Sequence, residues 1–274
     1  MKTLIVPTDF SPVSLNAMNY AAEMAKSLEA SMLLVHIFQV PVTFTEVPVA
    51  AVPVEEMRSS SEAKLNEMKK AAEHITSGAV KVYTEARMGD TIEELKDLCE
   101  AIQPLAIVMG THGNSGLERL IMGSTTLTAI KHLTWPVIAI PPGTVFKNIK
   151  KIGLACDFRD VVNSTPVTDI KKIVKEMNAD LHILNVDYNQ QRFNQNTPLE
   201  SAYLETMLED VSPQYHFINK PDVVEGINEF ADSNNLDLLM VVPKKHKLLE
   251  SIFHKSSSAG LITHSHIPVL SIHE

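Results

Sequence analysis

The sequence predicts an α/β protein made of two consecutive domains, each built on an open, doubly wound parallel sheet. Strand-type and helix-type segments alternate along the chain, and the whole alternation occurs twice. The strand-type segments are continuous apolar runs, which is typical of parallel strands that are buried on both faces. A chain of 274 residues with 45% hydrophobic and 21% charged residues can form two cores of ordinary size.

An internal repeat sets the domain organisation. The aligned pairs are "KTLIVPTDF" (2–10) over "KIGLACDF" (151–158), "KSLEASMLLVHI" (26–37) over "KEMNADLHILNV" (175–186), "DTIEELKDL" (90–98) over "DVVEGINEF" (222–230), and "WPVIAI" (135–140) over "IPVLSI" (267–272). We therefore place a first domain at 1–143, a linker at 144–148 and a second domain at 149–274. The Pro/Val-rich stretch 40–54 occurs in the first repeat alone and predicts a long surface loop.

The first repeat predicts the order βαβαβαβαβ. Its predicted strands are 3–8, 31–37, 80–86, 105–110 and 136–140. Its predicted helices are 11–28, 54–75, 90–102 and 124–133. Ser11-Pro12 is an N-cap followed by proline at the first helical position, and Asp90 is a cap with Glu93 three residues later. Such a sheet binds ligands beyond the carboxyl ends of its strands.

Composition excludes several classes of protein. A formal net charge of -9 and a pI near 5.7 argue against a broad nucleic-acid surface. The two cysteines, Cys99 and Cys156, have no disulfide-framework or zinc spacing, which fits a reducing compartment. The N-terminal apolar run reaches Pro7 too soon for a signal peptide, and no run approaches the ~18 residues of a membrane span. We expect a cytoplasmic protein without a nucleic-acid partner or membrane insertion.

A glycine-rich stretch follows the fourth predicted strand. "VMGTHGNSGLERLIMGSTT" (108–126) holds four of the ten glycines of the chain. Glycine permits positive φ and close approach of the backbone to a ligand, and successive N–H groups can form an anion nest. The helix that begins at Gly123-Ser124-Thr125-Thr126 adds the positive end of its dipole and three hydroxyls. The stretch therefore predicts a phosphate cradle made of a loop and a helix N-terminus.

The spacing of these glycines carries a family resemblance. It matches neither GxxxxGK[ST] nor GxGxxG but reads G-x2-G-x9-G-S. Together with "PTDFS", "LLVHI" and "PVIAI", it makes the chain resemble a tandem universal stress protein over essentially its full length. The resemblance implies a Rossmann-like, adenine nucleotide alpha hydrolase-like fold that is often dimeric. It also implies ATP binding in the repeat that carries the glycine pattern. The final strands of the two repeats are expected to pair within the chain as a pseudo-dimer, and a homodimer of the whole chain stays open.

The resemblance also implies roles for individual residues. The expected phosphate ligands are Gly110, Gly113, Gly123, Ser124 and Thr125, with Thr126 as a weaker addition. The expected nucleoside contacts are Pro7, Thr8 and Asp9 against ribose and adenine, the backbone of Ile37 against adenine, and Met109 beside the nucleoside. A divalent ion, Mg²⁺ or Mn²⁺, is expected to bridge the phosphates.

The second repeat lacks the cradle. A gapless alignment places Val242, Lys245 and Lys255 at the positions of Gly110, Gly113 and Gly123. A β-branched residue disfavours positive φ, and lysine side chains would fill the space of the backbone nest. We expect no nucleotide there in the same mode. The basic loop that replaces it either binds another anion or a partner, or is simply solvated.

Three functions remain open from the sequence. The first is an ATP-binding stress-response sensor or adaptor with an unidentified protein partner. The second is a slow ATP hydrolase or phosphotransferase, for which the loop offers only His112 and Glu118 as titratable groups and lacks the full set of parts. The third is a binding module for a non-nucleotide ligand, at 40–54 or in the second domain. Beside these, Asp9 has the alternative role of a cap on the first helix near Ser11, and His36 that of a packing residue at the sheet edge.

Overall fold

The computed structural model describes residues 2–40, 53–111, 123–189, 195–243 and 257–273. The predicted loop at 40–54 therefore lies almost wholly outside the described residues, as do Gly113 with most of the glycine-rich stretch and the basic loop of the second repeat. Packing divides the chain into two compact units, Met1–Gly110 with Ser124–Trp135, and Thr111–Gly123 with Pro136–Glu274.

The first unit contains a parallel sheet. Its strands are β1 (Thr3–Pro7), β2 (Ser31–Phe38), β3 (Val82–Met88) and β4 (Ala106–Gly110), in the order β3-β2-β1-β4. Strand β1 pairs with β2 (Ile5 beside Leu33) and with β4 (Ile5 beside Ile107). Its helices are α1 (Pro12–Ser27), α2 (Val54–Ile75), α3 (Thr91–Ile102) and α4 (Ser124–His132). The predicted elements are confirmed, with boundaries that differ by two residues at most.

The helix starts follow from the predicted caps. The Ser11 hydroxyl accepts the Ser14 N–H at 3.2 Å, and Pro12 occupies the first turn of α1. The Asp90 carboxylate accepts the N–H groups of Ile92 and Glu93 at 2.9 and 3.2 Å and so caps α3. These contacts satisfy backbone donors that have no partner inside a helix.

The second unit repeats the alternation. Its strands are β5 (Val137–Ile140), β6 (Lys151–Ala155), β7 (Asp180–Val186), β8 (Gln214–Ile218), β9 (Leu238–Val241) and β10 (Val269–Ser271). Its helices are α5 (Val161–Ser164), α6 (Val167–Met177), α7 (Thr197–Leu208), α8 (Val223–Asn234) and α9 (Ser257–His264), with a 3₁₀ turn at Glu209–Val211. The segment that matches α1 is thus split into α5 and α6, with Thr165 and Pro166 between them.

Strand β5 belongs to the first repeat by sequence and to the second unit by packing. It pairs antiparallel with β10, with Ile138 beside Leu270, in the order β5-β10-β9-β6-β7-β8. The prediction that the two final strands pair within the chain is confirmed. The division into domains at 1–143 and 149–274, with a linker at 144–148, stays a prediction.

The strands form the cores of both units. In β1, the exposed fraction is 0% for Leu4, Ile5 and Val6. In β6, it is 0% for Ile152 and 2% for Leu154. Such continuous burial on both faces is what the apolar runs predicted. Cys99, on the buried face of α3, is a core residue, and burial raises the pKa of its thiol to about 12. Within the described ranges, no helix is both long and apolar enough to cross a membrane.

Candidate nucleotide site at the carboxyl ends of the first sheet

Parallel pairing brings three strand ends together. Strand β1 lies between β2 and β4, so their carboxyl ends share one edge of the sheet. Thr8 and Asp9 follow Pro7, the last residue of β1, and Ile37 is the penultimate residue of β2. The other residues predicted from this edge, Met109 and Gly110, end β4; Met109 is buried and Gly110 is half-buried.

The turn after β1 is held by hydrogen bonds around Thr8. The Thr8 N–H donates to the Val35 carbonyl at 2.8 Å, and the Thr8 carbonyl accepts Nδ1–H of His36 at 2.7 Å. The buried Thr8 hydroxyl oxygen accepts the Phe10 N–H at 3.0 Å and lies 3.0 Å from the Ser14 hydroxyl. The Thr8 hydroxyl therefore makes its hydrogen-bonding contacts within the protein.

Asp9 is exposed at the tip of this turn. One carboxylate oxygen accepts the Ser11 N–H at 3.0 Å. Partial burial raises the pKa of Asp9, but hydrogen bonds from the side chain and backbone of Ser11 and from Ser14 outweigh it, and the net pKa is lowered. Asp9 is thus a stable anion with exposed carboxylate surface, suited to accept hydrogen bonds from hydroxyl groups.

Gly110 is required by close packing. A Cβ atom there would lie 2.5 Å from the Val13 side chain and 2.7 Å from the Val13 carbonyl oxygen. Its φ is outside the left-handed region. The expectation that this glycine serves a positive φ is therefore wrong at position 110. The residue is glycine because α1 passes directly over the end of β4.

The N-terminus of α4 is fastened to the same strand end. The buried Thr126 hydroxyl donates to the Gly110 carbonyl at 3.0 Å. This contact gives Thr126 a structural role, and its predicted contact with phosphate stays a prediction. Ser124 and Thr125 are exposed in the first turn of α4, and Gly123 precedes them half-buried. The arrangement places two exposed hydroxyls and the positive end of a helix dipole beside the end of β4.

The sequence did not predict the aromatic contact beside Asp9. Phe10 has φ 65°, and its ring lies 4.4 Å from the His36 ring, centroid to centroid. The Lys64 ammonium lies 5.1 Å from the centre of the Phe10 ring. The packing role considered for His36 agrees with these contacts. The only available sequence signal was the Asp-Phe pair that both repeats share.

The second repeat builds the same turn. The Cys156 N–H donates to the Leu184 carbonyl at 2.9 Å, and the Cys156 carbonyl accepts from the Asn185 amide at 2.9 Å. Asp157 accepts the Arg159 N–H at 3.2 Å, and Phe158 has φ 50°. Each of these contacts has its counterpart around Thr8, Asp9 and Phe10.

Comparisons with known proteins agree with this fold. The profile of the Universal stress protein family matches residues 1–141. A universal stress protein of Methanocaldococcus jannaschii is 32% identical over 147 residues, which cover 51% of this chain and 81% of the relative. The crystal structure of a universal stress protein from Archaeoglobus fulgidus matches with a TM-score of 0.75 at 17% identity, covering 99% of this chain and 98% of the other.

A further solved structure is a universal stress protein in complex with cAMP. It has a TM-score of 0.40 and 21% identity, and the match covers 51% of this chain and 96% of that protein. The profile match over half of the chain, together with the curated relative, identifies the family: the chain belongs to the universal stress protein family.

Proposed function

We propose that this protein binds ATP, together with Mg²⁺ or Mn²⁺, in its first repeat, and that it acts in the cytoplasm as a stress-response sensor or adaptor. The observation that carries the proposal is the convergence of three features at one sheet edge. These are the anionic Asp9, the strand end at Gly110, and the first turn of α4 with its exposed hydroxyls. Family membership supports it.

The residues present fit a nucleoside triphosphate. The first turn of α4 offers N–H groups and the hydroxyls of Ser124 and Thr125 to phosphate oxygens. The Asp9 carboxylate is suited to accept from ribose hydroxyls. Among the described residues, no group of three or more His, Cys, Asp or Glu side chains could hold a metal ion by itself. The hydroxyls of Ser124 and Thr125 are the hard oxygen ligands that α4 would offer to a divalent ion, which would neutralise part of the phosphate charge.

A sensor role requires that ATP prefers one state of the protein. A ligand shifts a conformational equilibrium only by its difference in affinity for the two states. The turn after β1 and the first turn of α4 are tied to the sheet by hydrogen bonds. We propose that a protein partner distinguishes the ATP-bound state of the protein from the free state.

The first test is direct analysis of bound nucleotide. Freshly purified protein is denatured, and the supernatant is chromatographed beside the Gly123→Lys variant, which copies Lys255 of the second repeat. We expect close to one ATP per wild-type chain and none in the variant. Calorimetry then compares Mg-ATP, ADP and cAMP. No released nucleotide, followed by no heat with any of the three, would contradict the proposal.

The two repeats supply a matched control for Asp9. Asp9→Ala and Asp157→Ala remove the same turn hydrogen bond, so each should lower the free energy of unfolding by about 0.5–1 kcal/mol. We expect only Asp9→Ala to weaken Mg-ATP binding, by about tenfold or more. Equal weakening in both variants would mean that the carboxylate acts through the fold and not on the ligand.

A further inference from the structure

We propose that His36 is a positioning residue of this nucleotide site: its Nδ1–H holds the Thr8 carbonyl and thereby fixes the turn that presents Asp9. The inference rests on the proposed function, since it concerns the same site. His36 is placed by β2, and Asp9 follows β1, so the contact exists only because the two strands pair in parallel.

The geometry defines what the imidazole does. Nδ1 lies 2.7 Å from the Thr8 carbonyl oxygen. A carbonyl oxygen only accepts, so the proton is on Nδ1. The Thr8 N–H donates to the Val35 carbonyl. The residue before Asp9 is therefore held to β2 on both sides, by the backbone of Val35 and by the side chain of His36.

The His36 ring also contacts Phe10, the residue after Asp9. Phe10, directly after Asp9, has a positive φ of 65°, and a bulky residue rarely adopts this conformation without support. Its ring lies 4.4 Å from the His36 ring. His36 thus contacts the residue before Asp9 by a hydrogen bond and the residue after it by ring packing. The backbone that carries the Asp9 carboxylate is therefore held on both sides.

The second repeat separates the hydrogen bond from the imidazole. Asn185 occupies the matching place on β7 and donates Nδ2–H to the Cys156 carbonyl at 2.9 Å. The matching backbone bond, from Cys156 N–H to the Leu184 carbonyl, is also 2.9 Å. Two chemically different side chains make the same bond at the same turn. The turn therefore requires a hydrogen-bond donor at this position. Asparagine supplies that donor in the second repeat.

Three variants of the full chain test this role by calorimetry with Mg-ATP and by denaturant unfolding. His36→Asn transplants the donor of the second repeat, His36→Leu removes the donor, and Asn185→Leu removes the matching donor from the second repeat. We expect His36→Asn to bind within about threefold of wild type, and His36→Leu to bind at least about tenfold more weakly. We expect Asn185→Leu to bind as wild type, although its unfolding midpoint falls.

Several outcomes would overturn the role. They are wild-type affinity in His36→Leu, equal weakening in Asn185→Leu, and a His36→Asn variant as weak as His36→Leu. A second readout does not depend on nucleotide: the ¹⁵N spectrum of the histidine rings should show Nδ1 of His36 protonated in the free protein. A neutral ring with its proton on Nε2 would exclude the hydrogen bond. A wild-type chain that binds no nucleotide overturns the proposed function and this role with it, whereas the spectrum alone still decides the bond.

Discussion

The two repeats end their first strand in the same turn, yet they direct the following phenylalanine differently. Phe10 is half-buried against His36, with Lys64 near its ring. Phe158 is only 1% exposed and packs near the rings of Tyr215 and Phe217, at 6.3 and 5.9 Å. The Asp-Phe turn therefore belongs to the fold. Asp9 by itself does not mark a ligand site, because Asp157 makes the same contact where the glycine pattern is absent.

The second difference lies at the end of the fourth strand of each repeat. Gly110 has α1 passing over it, with the Val13 carbonyl too close for any side chain. In the second repeat the helix that matches α1 is divided, and Val242 stands at the matching position. Packing of Val13 within the first repeat is therefore enough to require glycine at position 110, without any contact from a ligand.

The largest expected effect breaks the comparison at the phenylalanines. Phe158→Ala should lower the free energy of unfolding by about 3–4 kcal/mol, because it empties a fully buried site. Phe10→Ala should cost about 1 kcal/mol, because the ring is only half-buried. Denaturant unfolding measures the loss of stability, and hydrogen exchange of the β6 and β1 amides assigns that loss to one unit. Equal losses would mean that the two rings are packed alike.

A smaller effect is expected at the glycines. Gly110→Ala should cost about 2–3 kcal/mol, because its Cβ meets backbone atoms of Val13 that cannot move independently. Gly153→Ala in β6 is the control, since its Cβ would meet the terminal methyl groups of the Leu236 and Leu184 side chains and no backbone atom, and about 1 kcal/mol is expected. Fluorescence of Trp135, the single tryptophan, reports on the first unit, which holds Gly110, and far-UV circular dichroism reports on both units and so also on the control. A Gly110→Ala variant as stable as wild type would contradict the close-packing explanation.

The smallest effect concerns pH and a histidine pair that the second repeat alone contains. Nδ1 of His182 lies 2.9 Å from Nε2 of His216, and the first repeat has Leu33 at the position of His182. Burial lowers the pKa of both rings, and for His182 the charges of His216 and Lys151 lower it further while Asp180 opposes them. The neutral rings are therefore favoured in the fold.

The lowered pKa values of His182 and His216 determine how stability changes with pH. A lowered pKa in the folded state means that this contribution to stability is present above the unfolded value near 6.5 and is lost as pH falls below it. Unfolding midpoints should thus decrease from pH 7.5 to pH 5.5. In the His182→Leu variant, which copies Leu33, the decrease should be smaller. An identical pH profile in the variant would show that other groups cause it.

Much of the fold could be predicted because its signals are local. Continuous apolar runs mark buried parallel strands, and Ser11 and Asp90 mark helix starts through contacts with residues two to three positions away. The grouping of Asp9, Ile37 and Gly110 also follows, since parallel strands end at one edge of a sheet. These are consequences of chain order and periodicity alone.

The rest depends on contacts between distant segments. The need for glycine at 110 comes from Val13, which no local pattern connects to it. The bond from His36 to Thr8 requires the register of β1 on β2, and histidine on an apolar strand has no specific sequence signature. Phe10 gave no sign of its left-handed conformation, because that conformation is usual for glycine and asparagine and rare for phenylalanine.

The antiparallel pairing of β5 with β10 changes how this protein responds to dilution. The last strand of the first repeat covers the edge of the last strand of the second, and both belong to one polypeptide. In a dimer of separate subunits, such a contact would be lost by mass action at low concentration. Here the tether makes it a unimolecular event with a fixed effective concentration. The contact should therefore persist however scarce the protein is, and each repeat can change its sequence without having to remain complementary to a copy of itself.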